Sequence, residues 1–344
     1  MSAAFIDQHW LTLFMAGMAA FAVGMYVFLD GFDLGVGILF PFADDDAMRD
    51  QMMNSIAPFW DGNETWLVFG GFILLAAFPL SFAVIMPAVY LPIIVMVLGL
   101  IFRGVAFEFR FKHHPRERIW DWAFAFGSMA ATFAQGVVLG AFVQGIRIER
   151  GAQVQFAGGA WDWLTPFSLM TGAALLAGYA LLGNTWLFWR AYGKLQEKAR
   201  VWMPVLLVCM LVSIVAVSVW TPLMSAEIAA RWFDFPDAFA FAPVPVLTVL
   251  CAWGAYHWIK KTPSAVPFVL CIGLFFLSYT GLAISLFPKL PPPSLTLFET
   301  AASPESQRFL LPGLIILVPL ILWHTWANYR VFHVKDEHDA GYGH

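Results

Sequence analysis

The sequence predicts an all-α integral membrane protein, and two observations support this fold class. The chain of 344 residues is 60% hydrophobic and only 12% charged, whereas a soluble domain carries about 25% charged residues. Apolar segments of about 20 residues, the length that crosses a bilayer as a helix, recur along the chain. The net charge is only −4 and no stripe of basic residues occurs, so we expect no binding to nucleic acid.

Nine apolar segments are long enough to span a membrane as helices. They cover residues 10–42, 59–78, 82–107, 119–146, 163–189, 201–221, 239–258, 267–286 and 310–332. The first segment exceeds the length of one crossing, so we expect it to tilt or to protrude. The start of the chain, MSAAFIDQHW, contains no Lys or Arg. Because a signal peptide has a positively charged start, we expect the first segment to be retained as a membrane helix.

Polar or Pro-rich stretches separate these segments. A basic loop with His113 and His114 lies between the third and fourth segments, and FPKLPPPSLTLF at 287–298 precedes the ninth. The second loop is rich in proline, which favours an extended conformation. We assign residues 1–335 to a single membrane domain and expect the polar residues 336–344 to form a disordered tail.

The distribution of Lys and Arg predicts the orientation, because these residues concentrate in cytoplasmic loops. With nine helices and an external N-terminus, the inner segments hold 13 of the 19 Lys and Arg residues, and the outer loops hold five. Arg103 lies inside a predicted helix. We therefore expect a periplasmic N-terminus and a cytoplasmic C-terminus. Three consecutive Asp residues at 44–46 fall in the first inner loop, but acidic residues contribute little to this rule.

Charged residues interrupt the first three predicted helices near one boundary of the membrane. The predicted orientation places all of them at the inner boundary, because about 20 residues of helix cover about 30 Å. Two acidic pairs have i, i+3 spacing, which places the members of each pair on one helix face. The residues concerned are Asp30, Asp33, Asp61, Glu64, Arg103 and Glu108.

Carboxylates grouped around one arginine suggest a path for proton uptake. Like charges at one depth do not all remain ionised, so some of these acids are expected to hold protons near neutral pH. Intramembrane proton relays commonly use such residues. The alternative is a structural role, with Asp61 as a helix N-cap and Glu64 in contact with headgroup water. We expect Arg103 to pair with Asp33 or Asp61, either as part of the path or as a structural tie.

Other polar residues within the predicted helices have simpler interpretations. His257 and His324 are the histidines inside helical segments, and interfacial hydrogen bonding is favoured over haem ligation for both. Asp121 resembles a helix cap. Gln135 and Gln144 lie on the fourth helix and are expected to join it to its neighbours by hydrogen bonds.

Three motifs together resemble subunit II of the cytochrome bd-type quinol oxidases, including the cyanide-insensitive branch. They are DGFDLGVG, NSIAPFWDGNETWL and FRGVAFEFR. The resemblance implies nine helices in two four-helix bundles with one peripheral helix. It implies a haem-bearing subunit I that holds two b-type haems and haem d, with no haem or metal ligand from this chain. A small single-helix subunit is a further implied partner, along with quinol and membrane lipid, in the bacterial cytoplasmic (inner) membrane.

The resemblance also assigns roles to particular residues. Asp61 matches the Asp of a proton path, to which we also assign Glu64, Asp30, Asp33 and Glu108. Asp30 and Asp33 match the first Asp-rich motif, and Arg103 matches the arginine of the third motif. Glu108 stands where relatives have Asp, and Trp60 is a candidate contact for a quinone. In this interpretation the chain is not catalytic alone, but belongs to an electrogenic oxidase that reduces O2 to water with protons from the cytoplasm.

Two other functions stay open at the level of sequence. A subunit that serves only structure or assembly would use the same charges to tie itself to its partner. An ion-coupled secondary transporter would also carry glycine-flanked carboxylates at helix breaks. The clustering of the charges at one boundary rather than at the midplane argues against a transporter.

Overall fold

The computed structural model describes residues 3–110 and 117–331, and the side chains from residue 9 onward except that of residue 117. The predicted tail at 336–344 and the pair His113–His114 therefore lie outside the described residues. Helices dominate the described part of the chain. Its first half contains α1 (Ala3–Leu39), a 3-10 turn (Phe40–Phe42), α2 (Asp46–Asn54), α3 (Trp60–Ala77), α4 (Pro79–Ala88), α5 (Tyr90–Arg110) and α6 (Glu117–Gln144).

The second half begins with a short antiparallel hairpin that was not predicted from the sequence. Its strands are β1 (Ile148–Arg150) and β2 (Val154–Phe156), with Ile148 opposite Phe156. The helices that follow are α7 (Pro166–Arg190), α8 (Gly193–Met224), α9 (Ala226–Phe233), α10 (Asp237–Phe241), α11 (Pro243–Trp258), α12 (Val266–Leu286), α13 (Leu297–Thr300) and α14 (Pro304–Val331).

Eight helical segments within the described residues are long and apolar enough to cross a membrane. They correspond to eight of the nine predicted spans and confirm a multi-pass, helical membrane protein. The remaining predicted span, 59–78, forms α3, a helix of 18 residues with Asp61 and Glu64 in its first turns. Because these polar residues lower the hydropathy of α3, it falls outside the set of eight.

The third predicted span, 82–107, is divided between α4 and α5 at Val89. Proline explains the division. Pro92 lacks an amide hydrogen, and its ring conflicts with the carbonyl group four residues earlier, at Ala88. The helix therefore ends at Ala88, and a new helix begins at Tyr90.

Helix α1 lies at the centre of this arrangement and packs against α3, α6 and α7. Every residue from 30 to 40 is buried, so the last third of the helix is enclosed. Gly35 and Gly183 allow α1 and α7 to cross at backbone contact. A Cβ atom on Gly35 would lie 1.8 Å from the Tyr179 carbonyl oxygen. This crossing fixes the position of the polar residues on α1.

The outer helices present apolar side chains at the surface. On α8, six valines are each more than half exposed and recur at intervals of three and four residues: Val201, Val205, Val208, Val212, Val215 and Val219. Such a face is expected where a helix meets lipid tails. The enclosed polar residues thus lie near α1, and the apolar exterior lies on helices such as α8.

Candidate functional site: a buried arginine with carboxylates from two helices

Arg103 on α5 is the centre of the candidate site. Its side chain is fully buried, and its guanidinium group joins carboxylates from two other helices. Nη1 donates to Asp30 Oδ1 on α1 at 2.6 Å, and Nη2 donates to Glu64 Oε2 on α3 at 3.0 Å. Asp30 is fully buried, whereas the Glu64 side chain is 26% exposed. The site therefore connects the protein interior with its surface.

The pairing has a clear physical reason. An arginine remains charged under all ordinary conditions, so its burial requires acceptors for its hydrogens. The planar guanidinium group can donate in two directions at once, which a lysine cannot do in the same geometry. Removing one partner of a buried ion pair leaves an uncompensated charge, at a cost of about 3–5 kcal/mol. Arg103 thus ties together α1, α3 and α5.

The expected pairing of Arg103 with Asp33 or Asp61 is wrong. Asp33 instead accepts a hydrogen bond from Asn63 Nδ2 at 2.7 Å. Asn63 is in turn bonded to α14, because Tyr329 Oη donates to Asn63 Oδ1 at 3.2 Å. Because Asp33 follows Asp30 by three residues on α1, their side chains point in directions that differ by about 60° around the helix axis. This rotation directs Asp30 to α5 and Asp33 to α3 and α14.

Asp61 lies at the surface, in the first turn of α3. The N-cap residue of this helix is Phe59, whose side chain cannot accept a hydrogen bond, so the interpretation of Asp61 as an N-cap is wrong. The carboxylate of Asp61 is close enough to interact electrostatically with Glu64. The structure therefore gives an order of increasing burial, from Asp61 through Glu64 to Asp30.

Trp60 and Glu108, two other predicted site residues, lie in different places relative to Arg103. Trp60 stacks on Phe107 with 5.0 Å between ring centroids, and the Arg103 guanidinium carbon lies 5.8 Å from the Trp60 centroid. Trp60 therefore forms one wall of the arginine site, and its contact with a quinone stays a prediction. Glu108 is exposed near the end of α5, apart from the buried members of the site.

A second ionic cluster at the same end of α5 was not predicted. Arg110 is only 2% exposed. Its Nε donates to Asp121 Oδ1 on α6 at 2.6 Å, and its Nη1 pairs with Asp50 on α2. Asp121 is therefore an ion-pair partner rather than the helix cap suggested by the sequence. The partners lie 11 and 60 residues from Arg110, so local spacing gave no signal of this cluster.

The two glutamines on α6 join helices as predicted. Gln135 Nε2 donates to Tyr26 Oη on α1 at 2.6 Å, and Gln135 Oε1 accepts from Tyr179 Oη on α7 at 3.2 Å. Gln144 accepts a hydrogen bond from Thr165, the N-cap of α7. The tyrosine partners of Gln135 were not identified from sequence, because isolated tyrosines in an apolar segment resemble core residues.

The two histidines predicted inside helices are both exposed, and His9 on α1 is a third helical histidine, because α1 begins before the predicted start at residue 10. His257 stacks on Trp253 with a centroid separation of 5.7 Å, and His324 lies on the surface of α14. Among the residues that the structure describes, no group of three or more His, Cys, Asp and Glu side chains could hold a metal ion. The charged site around Arg103 consists of ion pairs between its guanidinium group and the carboxylates of Asp30 and Glu64.

Comparison with known proteins identifies the family. The sequence pattern of the family described as cytochrome bd terminal oxidase subunit II matches residues 11–332. The chain is 28% identical to cytochrome bd ubiquinol oxidase subunit 2 of Bacillus subtilis (strain 168) over 330 residues, which are 93% of this chain and 95% of that protein. It is 28% identical to cytochrome bd-I ubiquinol oxidase subunit 2 of Escherichia coli (strain K12) over 338 residues, 88% of this chain and 89% of that protein.

The fold also resembles a solved structure. A chain in the structure of bd oxidase from Geobacillus thermodenitrificans aligns with a TM-score of 0.76 at 15% sequence identity, covering 94% of this chain and 98% of that chain. This similarity supports the helical fold. Together with the family match over nearly the whole sequence, it leads to one conclusion: the chain belongs to the cytochrome bd terminal oxidase subunit II family.

Proposed function

We propose that this chain is the haem-free subunit II of a bd-type quinol:O2 oxidoreductase in the bacterial cytoplasmic membrane. It would pack against a haem-bearing subunit I and help to deliver protons for the reduction of O2 to water. The names of the relatives, which are subunits of ubiquinol oxidases, support the class of reaction. A small single-helix subunit, quinol and lipid are further proposed partners.

The proposed topology has nine crossings, a periplasmic N-terminus and a cytoplasmic C-terminus, arranged as two four-helix bundles and a peripheral helix. The second crossing would be α3. Its 18 residues extend over about 27 Å, close to the thickness of the hydrocarbon core. The excess of Lys and Arg in the proposed inner segments supports the orientation. The acidic start of α3 would then face the cytoplasm.

The haems would belong to subunit I. When bound there, two b-type haems and haem d would carry electrons from quinol to O2. Within the described part of this chain, the exposed positions of His257 and His324 on separate helices do not form an axial ligand pair within a bundle. The contribution of this chain would be to supply protons and to support the partner.

The observation that carries the proton-delivery role is the position of Glu64. Its carboxylate reaches Arg103 in the interior, yet a quarter of its side chain is exposed beside Asp61. A proton that arrives at Asp61 can pass to Glu64. Protonated Glu64 loses its charge and so its strong bond to Arg103. Its side chain is then able to turn towards an acceptor in the partner and release the proton there.

The experiment compares Asp61→Asn and Glu64→Gln with the control Glu197→Gln in the complete complex. Glu197 is exposed at the proposed cytoplasmic side and pairs with Arg200 at 3.6 Å. We expect normal haem content in all three variants, with quinol-dependent O2 consumption reduced at least about tenfold in the first two, equal to about 1.4 kcal/mol of barrier.

Two other outcomes would change the conclusion. Near-normal O2 consumption with normal haem content in both site variants would refute proton delivery through these residues. Loss of haem in the site variants, with haem retained in Glu197→Gln, would assign the charges to assembly and favour a purely structural subunit.

A further inference from the structure

Three polar side chains form a hydrogen-bonded chain that the proposed proton route does not use. Tyr26 on α1, Gln135 on α6 and Tyr179 on α7 meet inside the bundle, with donor–acceptor distances of 2.6 and 3.2 Å. Both tyrosines are buried, with exposures of 4% and 0%. Buried polar groups of this kind are costly unless they are paired, so their presence on three adjacent helices requires an explanation.

Hydrogen-bond donation runs from α7 through α6 to α1. Tyr179 donates to the Gln135 carbonyl oxygen, and the Gln135 amide nitrogen donates to the Tyr26 oxygen. Because Tyr26 accepts at its oxygen, its own hydrogen is available to a further acceptor. Each bond in such a chain polarises the next one and strengthens it.

Asp30 is the acceptor next to this chain. It lies four residues after Tyr26 on α1, so the two side chains share one helix face. The two side chains are close enough for an electrostatic interaction, although no hydrogen bond joins them in the structure. Arg103 holds Oδ1 of Asp30, whereas Oδ2 is buried and has no hydrogen-bond partner among the described residues. The Tyr26 hydroxyl is therefore a donor available to the second oxygen, beside Arg103 Nε, which is also buried without a hydrogen-bond partner among the described residues.

The far end of the chain is closed. Tyr179 is enclosed by Phe275, at a centroid separation of 5.7 Å, and by α1. A Cβ atom on Gly31 would lie 2.8 Å from Tyr179 Cε1, so the glycine after Asp30 makes room for this ring. Within the described residues, this end of the chain therefore lies in the apolar core rather than at the surface.

We propose that Tyr26, Gln135 and Tyr179 are positioning residues that hold the Asp30 carboxyl group in place, so that proton exchange at Arg103 falls to Glu64. This inference rests on the proposed function, since it assigns a fixed position to Asp30 and proton exchange to Glu64, the two carboxylates that share Arg103. Asp30 is fixed by α1, α5, α6 and α7. Glu64 is the partner that can move.

The test is a double-mutant cycle in the complete complex. Tyr26→Phe and Gln135→Leu are each made alone and combined with Asp30→Asn, and haem content, melting temperature and O2 consumption are measured. We expect each single variant to keep its haem, to melt at a lower temperature and to lose about tenfold in O2 consumption, because the Tyr26 hydroxyl no longer holds Asp30 in place. In the Asp30→Asn background, the same changes should lower neither the melting temperature nor the rate much further.

Tyr279→Phe is the matched control. The Tyr279 hydroxyl also donates to α1, at the Ala20 carbonyl oxygen at 2.9 Å, but away from Asp30. We expect its effect on the melting temperature to be the same in both backgrounds, because it does not act through Asp30. A role in packing alone would make Tyr26→Phe behave in the same way.

The outcomes separate this inference from the proposed function. Equal losses of melting temperature from Tyr26→Phe and from Gln135→Leu in both backgrounds would overturn the inference, whatever the rates. If the cycle shows coupling but Asp30→Asn and Glu64→Gln keep full O2 consumption, the positioning of Asp30 stands and proton delivery is refuted.

Discussion

At the scale of single residues, Arg103 organises the site because it is charged, fully buried and shared by two carboxylates. The sequence located Asp30, Glu64 and Arg103, since charges within apolar segments are conspicuous. It did not give the correct pairs. Asp30 and Asp33 differ in direction by about 60° on one helix, and this rotation decides which of them meets α5. Asn63 and Tyr329 were missed because they lie 266 residues apart.

Arg103→Lys tests the shared arrangement. A lysine has one compact ammonium group and cannot donate to Asp30 and Glu64 in the same planar geometry. We expect a loss of about 3 kcal/mol in stability, because one buried carboxylate loses its partner. The measurements are the melting temperature and the haem content of the purified complex.

Arg308→Lys is the control for this substitution, because Arg308 is exposed at the start of α14. We expect that variant to match the unmodified complex in both measurements. A melting temperature and haem content for Arg103→Lys that equal those of the control would show that a single positive charge is sufficient.

At the scale of helices, close approach of backbones matters as much as hydropathy. Hydropathy predicted where most spans lie, because it measures compatibility with lipid. It did not predict helix ends. Helix α8 begins at Gly193, before the predicted start at residue 201. Its first turns are basic and polar, so a search for apolar segments did not include them. The break at Val89 depends on Pro92, a backbone effect that a count of apolar residues does not include.

The crossing of α1 and α7 gives a prediction at this scale. In Gly35→Ala the new Cβ atom would collide with the Tyr179 carbonyl oxygen, so the helices must separate. Separation would disturb both Tyr179 and the segment that holds Asp30 and Asp33. We expect a lower melting temperature by several degrees, in line with about 1–3 kcal/mol for overpacking, and a reduced haem content.

Gly17→Ala is a control on the same helix. An added Cβ atom at Gly17 has no described atom within 4 Å, and alanine favours a helix by about 1 kcal/mol relative to glycine. The melting temperature of this variant should stay the same or rise. If the Gly35→Ala complex has the same melting temperature as the Gly17→Ala complex, this result would contradict tight contact between α1 and α7.

At the scale of the whole molecule, both ionic clusters lie towards one end of the helices. Seven residues of α5, about 10 Å, separate Arg103 from Arg110. The hydropathy and the Lys and Arg bias of the sequence predicted a charged boundary on one side. They could not predict that the second cluster joins α2, α5 and α6, since those partners come together only on folding.

The proposed placement of the haems in subunit I gives a prediction for the isolated chain. Purified without its partner, it should show no haem absorbance, whereas the co-purified complex should show the bands of its haems. The reason is that the helical histidines of the described residues, His9, His257 and His324, lie on three separate helices, α1, α11 and α14. Optical spectra of both preparations at equal protein concentration provide the measurement, and stoichiometric haem in the isolated chain would contradict the prediction.

The shared arginine also has a consequence for biogenesis. Asp30 is synthesised 73 residues before Arg103, and Glu64 precedes it by 39 residues. Both acidic residues are therefore synthesised before their positive partner. Until α5 enters the membrane, Arg103 is not present to neutralise these carboxylates. Nascent chains that stop before α5 would keep this charge uncompensated, which would mark them for degradation by membrane proteases.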